Sequence, residues 1–71
     1  MNEFELTPRQ TEVYNFIKSF IAEHGYSPSF REIGKGCYIG SISTVAGHVD
    51  RLVKKGVIDY TPRTPRTIKP K

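Results

Sequence analysis

A chain of 71 residues has room for one compact domain and lies near the lower limit for folding alone, because short chains bury a smaller share of their surface. With 37% of its residues hydrophobic and 25% charged, the composition excludes a disordered chain. The net charge of +4 is unevenly placed: residues 1–50 carry four basic and six acidic side chains, whereas residues 51–71 carry Arg51, Lys54, Lys55, Arg63, Arg66, Lys69 and Lys71 against Asp59 alone.

Along the chain, Glu3 and Glu5 stand where a secretory signal would carry basic residues. No apolar run approaches the roughly 20 residues that span a bilayer, so a cytoplasmic protein without a membrane partner is expected. Thr7-Pro8-Arg9-Gln10 reads as a helix start, with Thr7 as cap, Pro8 at the first helical position and Gln10 completing a capping box. The helix should run over residues 8 to about 24, with Val13, Tyr14, Phe16, Ile17, Phe20 and Ile21 on one buried face and Gly25 as its stop. Tyr26-Ser27-Pro28 breaks the helical path. Ser29-Phe30-Arg31-Glu32 repeats the capping box and opens a second, short helix, since Gly34 and Gly36 each cost about 0.8–1 kcal/mol relative to Ala. Ile33 and Cys37 should point inward.

Gly40 and Ser41 mark a turn, after which Val45, Val49, Leu52 and Val53 form a one-sided stripe. A third helix is expected from residue 41 or 42 to 55, ended by Gly56. A rotation of about 100° per residue puts Ser43, Thr44, Gly47, Arg51 and Lys54 opposite the stripe. Residues 57–61 have strand composition and can pair with residues 66–69 across Pro62-Arg63-Thr64-Pro65, a hairpin with a basic, proline-stiffened tip. Cys37 is the only cysteine, so no internal disulfide forms. With His24 and His48 it makes no recognisable zinc spacing, and neither metal nor cofactor is expected.

Two short helices joined by a tight turn and followed by a basic hairpin fit the plan in which the second helix of the turn enters the major groove. A groove about 12 Å wide admits a helix whose approaching side chains are small, as Ser43, Thr44 and Gly47 are. Arg51, Lys54 and Lys55 lie further along, where phosphates would be. A cationic segment gathers near polyanions and gains affinity by releasing condensed counterions, so double-stranded DNA is the leading partner.

Three stretches then carry a specific resemblance. Leu6-Thr7-x-Arg9-Gln10-x-Glu12-Val13, Gly25-x-x-Pro28-Ser29-x-Arg31-Glu32-Ile33-Gly34 and Ser43-Thr44-Val45-x-Gly47-His48-Val49-x-Arg51-Leu52-x-x-Lys55-Gly56-x-Ile58 together resemble the amino-terminal domain of the LexA repressors. Pro62-x-x-Pro65-Arg66-x-Ile68 is similar to the wing end of that domain. The match covers residues 6–69 without a gap. It implies an α+β, mainly α fold: a three-helix bundle with a two-stranded antiparallel β wing over residues 1–71. It also implies a repressor of the SOS type, with Ser41, Ser43, Thr44, Ala46 and Gly47 facing bases and Arg9, His48, Arg51, Lys54, Lys55, Arg63 and Arg66 contacting phosphates. Where the family usually has a compact, glycine-containing turn, this chain reads Gly36-Cys37-Tyr38-Ile39-Gly40. LexA proteins continue into a domain that dimerises and cuts its own chain with a Ser-Lys pair, which these 71 residues lack; a monomer in solution that pairs on inverted-repeat DNA is therefore expected.

Other readings of the same residues stay open. His48 is equally at home as a packed structural residue, and Tyr38 and Tyr60 are candidate DNA-backbone contacts. Ser41 and Ser43 have no partnered His or Lys, so no nucleophile and no enzyme is read. Winged helices also dock on proteins, and a module acting on a host repressor, polymerase or replication factor is the alternative function. An RNA binder would need paired aromatics on strands.

Overall fold

The computed structural model describes residues 6–71; residues 1–5, read above as an acidic start unlike a secretory signal, lie outside the described residues. Three helices and a hairpin follow in chain order: α1 (Pro8–His24), α2 (Phe30–Gly36), α3 (Ile42–Lys54), β1 (Ile58–Asp59) and β2 (Lys69–Pro70). The strands are antiparallel, as the expected winged arrangement requires.

Each helix starts where its capping chemistry says it should. The Gln10 backbone N–H donates to Thr7 Oγ1 and the Thr7 N–H donates to Gln10 Oε1, both at 3.1 Å. At α2, the Glu32 N–H donates to Ser29 Oγ (3.2 Å) and the Ser29 N–H to Glu32 Oε1 (2.8 Å). Each box satisfies two backbone N–H groups that a helix start leaves over. α1 and α3 end on Gly25 and Gly56, whose φ values of 79° and 77° are left-handed and suit a residue without Cβ.

α2 is short for a packing reason. A Cβ on Gly36 would overlap the Phe16 ring, so the missing side chain lets α1 and α2 approach closely. The Ile39 N–H donates back to the Gly34 carbonyl at 2.8 Å, closing the helix end, and that closure puts Tyr38 in the left-handed region at φ 58°. Glycine usually holds this position.

The core joins every element except β2: Val13 and Ile17 of α1, Ile33 and Cys37 at α2, Val45, Val49 and Leu52 of α3, Ile58 of β1 and Ile68 just before β2. Tyr14, Phe16 and Ile21 pack against it only partly buried. Val53, expected on the apolar stripe, is 36% exposed. At about 100° per residue it stands at the edge of the face that Val45, Val49 and Leu52 share, about 40° beyond Val49 on the side away from Leu52.

The hairpin departs most from expectation. Pairing stops after Ile58 opposite Pro70 and Asp59 opposite Lys69, so the second strand lies later than the expected 66–69 and both are shorter. Residues 61–67 read Thr-Pro-Arg-Thr-Pro-Arg-Thr, and each proline is followed by an arginine in the left-handed region, Arg63 at φ 64° and Arg66 at φ 60°. Proline followed by a left-handed residue is the pattern of a type II turn. No ladder can run through two such turns. The Thr67 hydroxyl gathers them: it accepts from the Thr61 N–H at 3.0 Å and lies 3.1 and 2.9 Å from the Thr61 and Thr64 carbonyl oxygens.

With no disulfide, stability rests on these few side chains. Leu52→Ala should cost about 2–5 kcal/mol through lost transfer energy and a residual cavity. The whole fold of a chain this size holds only about 4–10 kcal/mol. Urea unfolding followed by circular dichroism should find Leu52→Ala largely or wholly unfolded at 37 °C, whereas a loss below about 1 kcal/mol would show that the core reorganises around the gap.

Candidate nucleic-acid interface

The outward face of α3 begins at its cap. Ser41 Oγ accepts from the Thr44 N–H at 3.4 Å, which leaves the hydroxyl hydrogen free to donate outward. Ser41, Ser43 and Thr44 are exposed, and Ala46 and Gly47 are half-buried behind them. Gly47 makes room for a longer neighbour: Arg51 Nη1 lies 4.0 Å from where its Cβ would be. The guanidinium therefore folds back one turn along the exposed face, nearer the small polar residues than spacing alone suggests.

At the crossing of α1 and α3 several of the sequence-derived cations converge. The charges of Arg9 and Arg51 both act on His48, whose Nδ1 is buried without a hydrogen-bond partner among the described residues. Burial first, then these two cations, lowers the His48 pKa. Lys55 Nζ donates to Gln10 Oε1 at 2.8 Å, the oxygen that already accepts the Thr7 N–H. Arg9 Nη1 is paired with Glu12 Oε2 at 2.6 Å.

A cleft separates α3 from the wing. Ala46, Asp50 and Val53 line one side, Tyr60 and Pro62 the other, with Phe30 among its lining residues. Tyr60 is not free in it, since its ring lies 5.3 Å from that of Phe30. Lys54 Nζ sits 3.1 Å from Asp50, so the acid that would repel a phosphate strand here is neutralised by its own helix.

On the wing the two arginines part company. Arg63 is exposed, with no carboxylate within 4.0 Å among the described residues. Arg66 turns inward: Nη1 donates to the Ser27 carbonyl (3.0 Å) and Glu32 Oε1 (2.8 Å), Nη2 to Glu32 Oε2 (3.4 Å), and the guanidinium lies 4.8 Å from the Tyr26 ring centroid. Buried Ser27 also accepts the Ile68 N–H at 3.2 Å, so the returning wing is fastened to the loop before α2. The backbone N–H of Ser29, and then the Arg66 guanidinium, hold the Glu32 carboxyl below the usual carboxylate range.

The sequence reading passed over Arg31 and Lys35 on α2 and Lys69 on β2, all exposed and without an ion pair among the described residues. Their spacing of four on α2 was a usable signal for the first two. Burial raises the Cys37 thiol pKa. Among the described residues no His, Cys, Asp or Glu group could hold a metal, and no helix is long and apolar enough to cross a membrane.

Residues 3–67 match the family model of the LexA DNA binding domain. The chain is 52% identical over 64 residues to the LexA repressors of Staphylococcus aureus strains USA300 and Mu50, an alignment that covers 90% of this chain and 31% of each relative. The chain thus spans about a third of the length of these curated relatives.

Glu32 links the wing to pH. Its pKa is depressed in the fold, so its contribution is whole above the ordinary carboxylate range and is lost as pH falls through the folded value. Thermal unfolding from about pH 6 down to about pH 2 should show a shallower acid loss for Glu32→Gln than for the unchanged protein, from a lower starting Tm. Parallel acid limbs would show that this carboxylate is not linked to folding.

Proposed function

The chain belongs to the LexA DNA binding domain family, and from that premise we propose that it is the sequence-reading domain of a repressor, binding double-stranded DNA through the major groove. The observation that carries the reading is the small, polar, exposed start of α3 with the Arg51 guanidinium folded back towards it. Ser and Thr hydroxyls donate or accept at either kind of base edge, and the Thr methyl can meet a thymine methyl. Ser41, Ser43 and Thr44 take that role, with Ala46 and Gly47 letting the helix sit deep.

Arg9, His48, Arg51, Lys54, Lys55 and Arg63 hold phosphates. These contacts fix register and orientation without carrying sequence. Arg51, folded over Gly47, lies at the boundary between the two sets. Arg66 acts differently from its neighbours: its fork is committed to Ser27 and Glu32, so it serves DNA by holding the wing in place.

The free domain is a monomer. Among the described residues the large exposed apolar ones are scattered, Tyr26 and Tyr38 in the loops before and after α2 and Ile42 and Val53 at the two ends of α3, and a stable interface buries about 800 Å² per partner. Two copies pair on an inverted repeat, where DNA supplies the high local concentration that weak contacts need.

Fluorescence anisotropy against a duplex selected from random sequence tests the division of roles. Thr44→Ala should lose about 1–3 kcal/mol on the selected duplex and far less on random DNA. Arg63→Ala should weaken both alike and lower the salt slope by about one. Affinity that ignores salt, or a Thr44→Ala loss equal on both duplexes, would defeat the proposal.

Assembly is tested separately. Sedimentation should find a monomer at micromolar concentration, and cooperative binding should vanish when half-sites about one helical turn apart are shifted by about five base pairs, which puts one copy on the opposite face. Cooperativity that survives the shift would rule out the pairing.

A further inference from the structure

Among the described residues Tyr38 is the most exposed of the large hydrophobic side chains, and it is one of three non-glycine residues with left-handed backbone. Its residue is 94% exposed, and its backbone holds φ 58°, where side chains with a Cβ are disfavoured. The ring makes no hydrogen bond, ring contact or cation contact among the described residues. Beside it lies a shallow depression walled by Glu12, Asn15, Phe16 and Ser19 of α1, which it borders without filling. Nothing in the fold therefore rewards a tyrosine at this elbow. A glycine would close α2 equally well and without strain. Strain that the fold does not use points to a role outside it.

The elbow's position says what that role is. Tyr38 stands three residues before Ser41, the cap of α3, so the two Cα atoms are at most about 11 Å apart even in a fully extended chain. The walls of the major groove stand about 12 Å apart. With Ser41, Ser43 and Thr44 at the base edges, a side chain this close to the helix start and this exposed has the length to meet the phosphate strand that borders the groove.

We propose that Tyr38 is a further DNA contact, its phenol O–H donating to a phosphate oxygen of the strand flanking the start of α3. This rests on the major-groove reading given above. The contact differs in kind from those of the lysines and arginines: a neutral donor releases no counterion, so it adds affinity without adding to the salt dependence.

Two variants and two readouts test it on the same chain. Tyr38→Phe keeps ring and backbone and removes only the hydroxyl. It should bind the selected duplex roughly tenfold more weakly, with the slope of log affinity against log salt unchanged. Tyr38→Gly should lose at least as much affinity while its Tm rises by about 4–8 °C through relief of the left-handed backbone. Both variants binding as tightly as the unchanged protein would overturn the inference and leave the major-groove reading intact. A fall in Tm for Tyr38→Gly would also overturn it, because the ring would then be serving the fold. If the unchanged protein bound no duplex at all, the failure would lie with the major-groove reading itself.

Discussion

Two oxygen atoms hold the parts of this domain in place. Gln10 Oε1 accepts the Thr7 N–H and the ammonium of Lys55, and Glu32 Oε1 accepts the Ser29 N–H and the guanidinium of Arg66. Each belongs to the third helical residue, which closes a capping box, so the group that starts a helix also receives a cation from the far part of the chain. Lys55 ties the end of α3 to the start of α1, and Arg66 ties the wing to the start of α2. Helix starts are good places for such anchors, because the acceptor is already oriented by its backbone partner and loses little further freedom when the cation arrives.

These anchors matter because the apolar core reaches only so far. Hydrophobic burial is not directional, and Ile58 and Ile68 alone would leave the wing free to swing about its root. Hydrogen bonds from Arg66 to Ser27 and Glu32, with that of Ile68 to Ser27, supply the direction. The surface divides along the same line. On the wing, Arg66 and Lys71 are tied to carboxylates and hold its geometry, while Arg63 stays exposed.

Much of this was legible in the sequence, for identifiable reasons. α1 and α2 begin where Thr7 and Ser29 cap them, because capping is local chemistry between residues three apart. The polar face of α3 follows from rotation per residue alone, whatever the helix packs against. The wing was misjudged because Arg63 and Arg66 adopt left-handed backbone, and arginine carries no turn signal that glycine or asparagine would. Arg9 and His48 entered as phosphate candidates only through family resemblance, and their convergence with Arg51 was not foreseen, since it depends on how α1 crosses α3. The inward turn of Arg66 lay beyond both routes: its partners stand 34 and 39 residues earlier.

Thr-Pro-Arg occurs twice in tandem at the wing tip, over residues 61–66. Two copies of one triplet differ purely by address: the first sends its arginine to solvent, the second folds its arginine home against Glu32. Since each copy closes its own turn, loss of a whole triplet would leave a geometrically sound but single turn, and its one arginine would have to choose between anchoring the wing and meeting a phosphate. Repetition of so small a unit thus lets one arginine brace the wing and leaves the other exposed without a new element of structure.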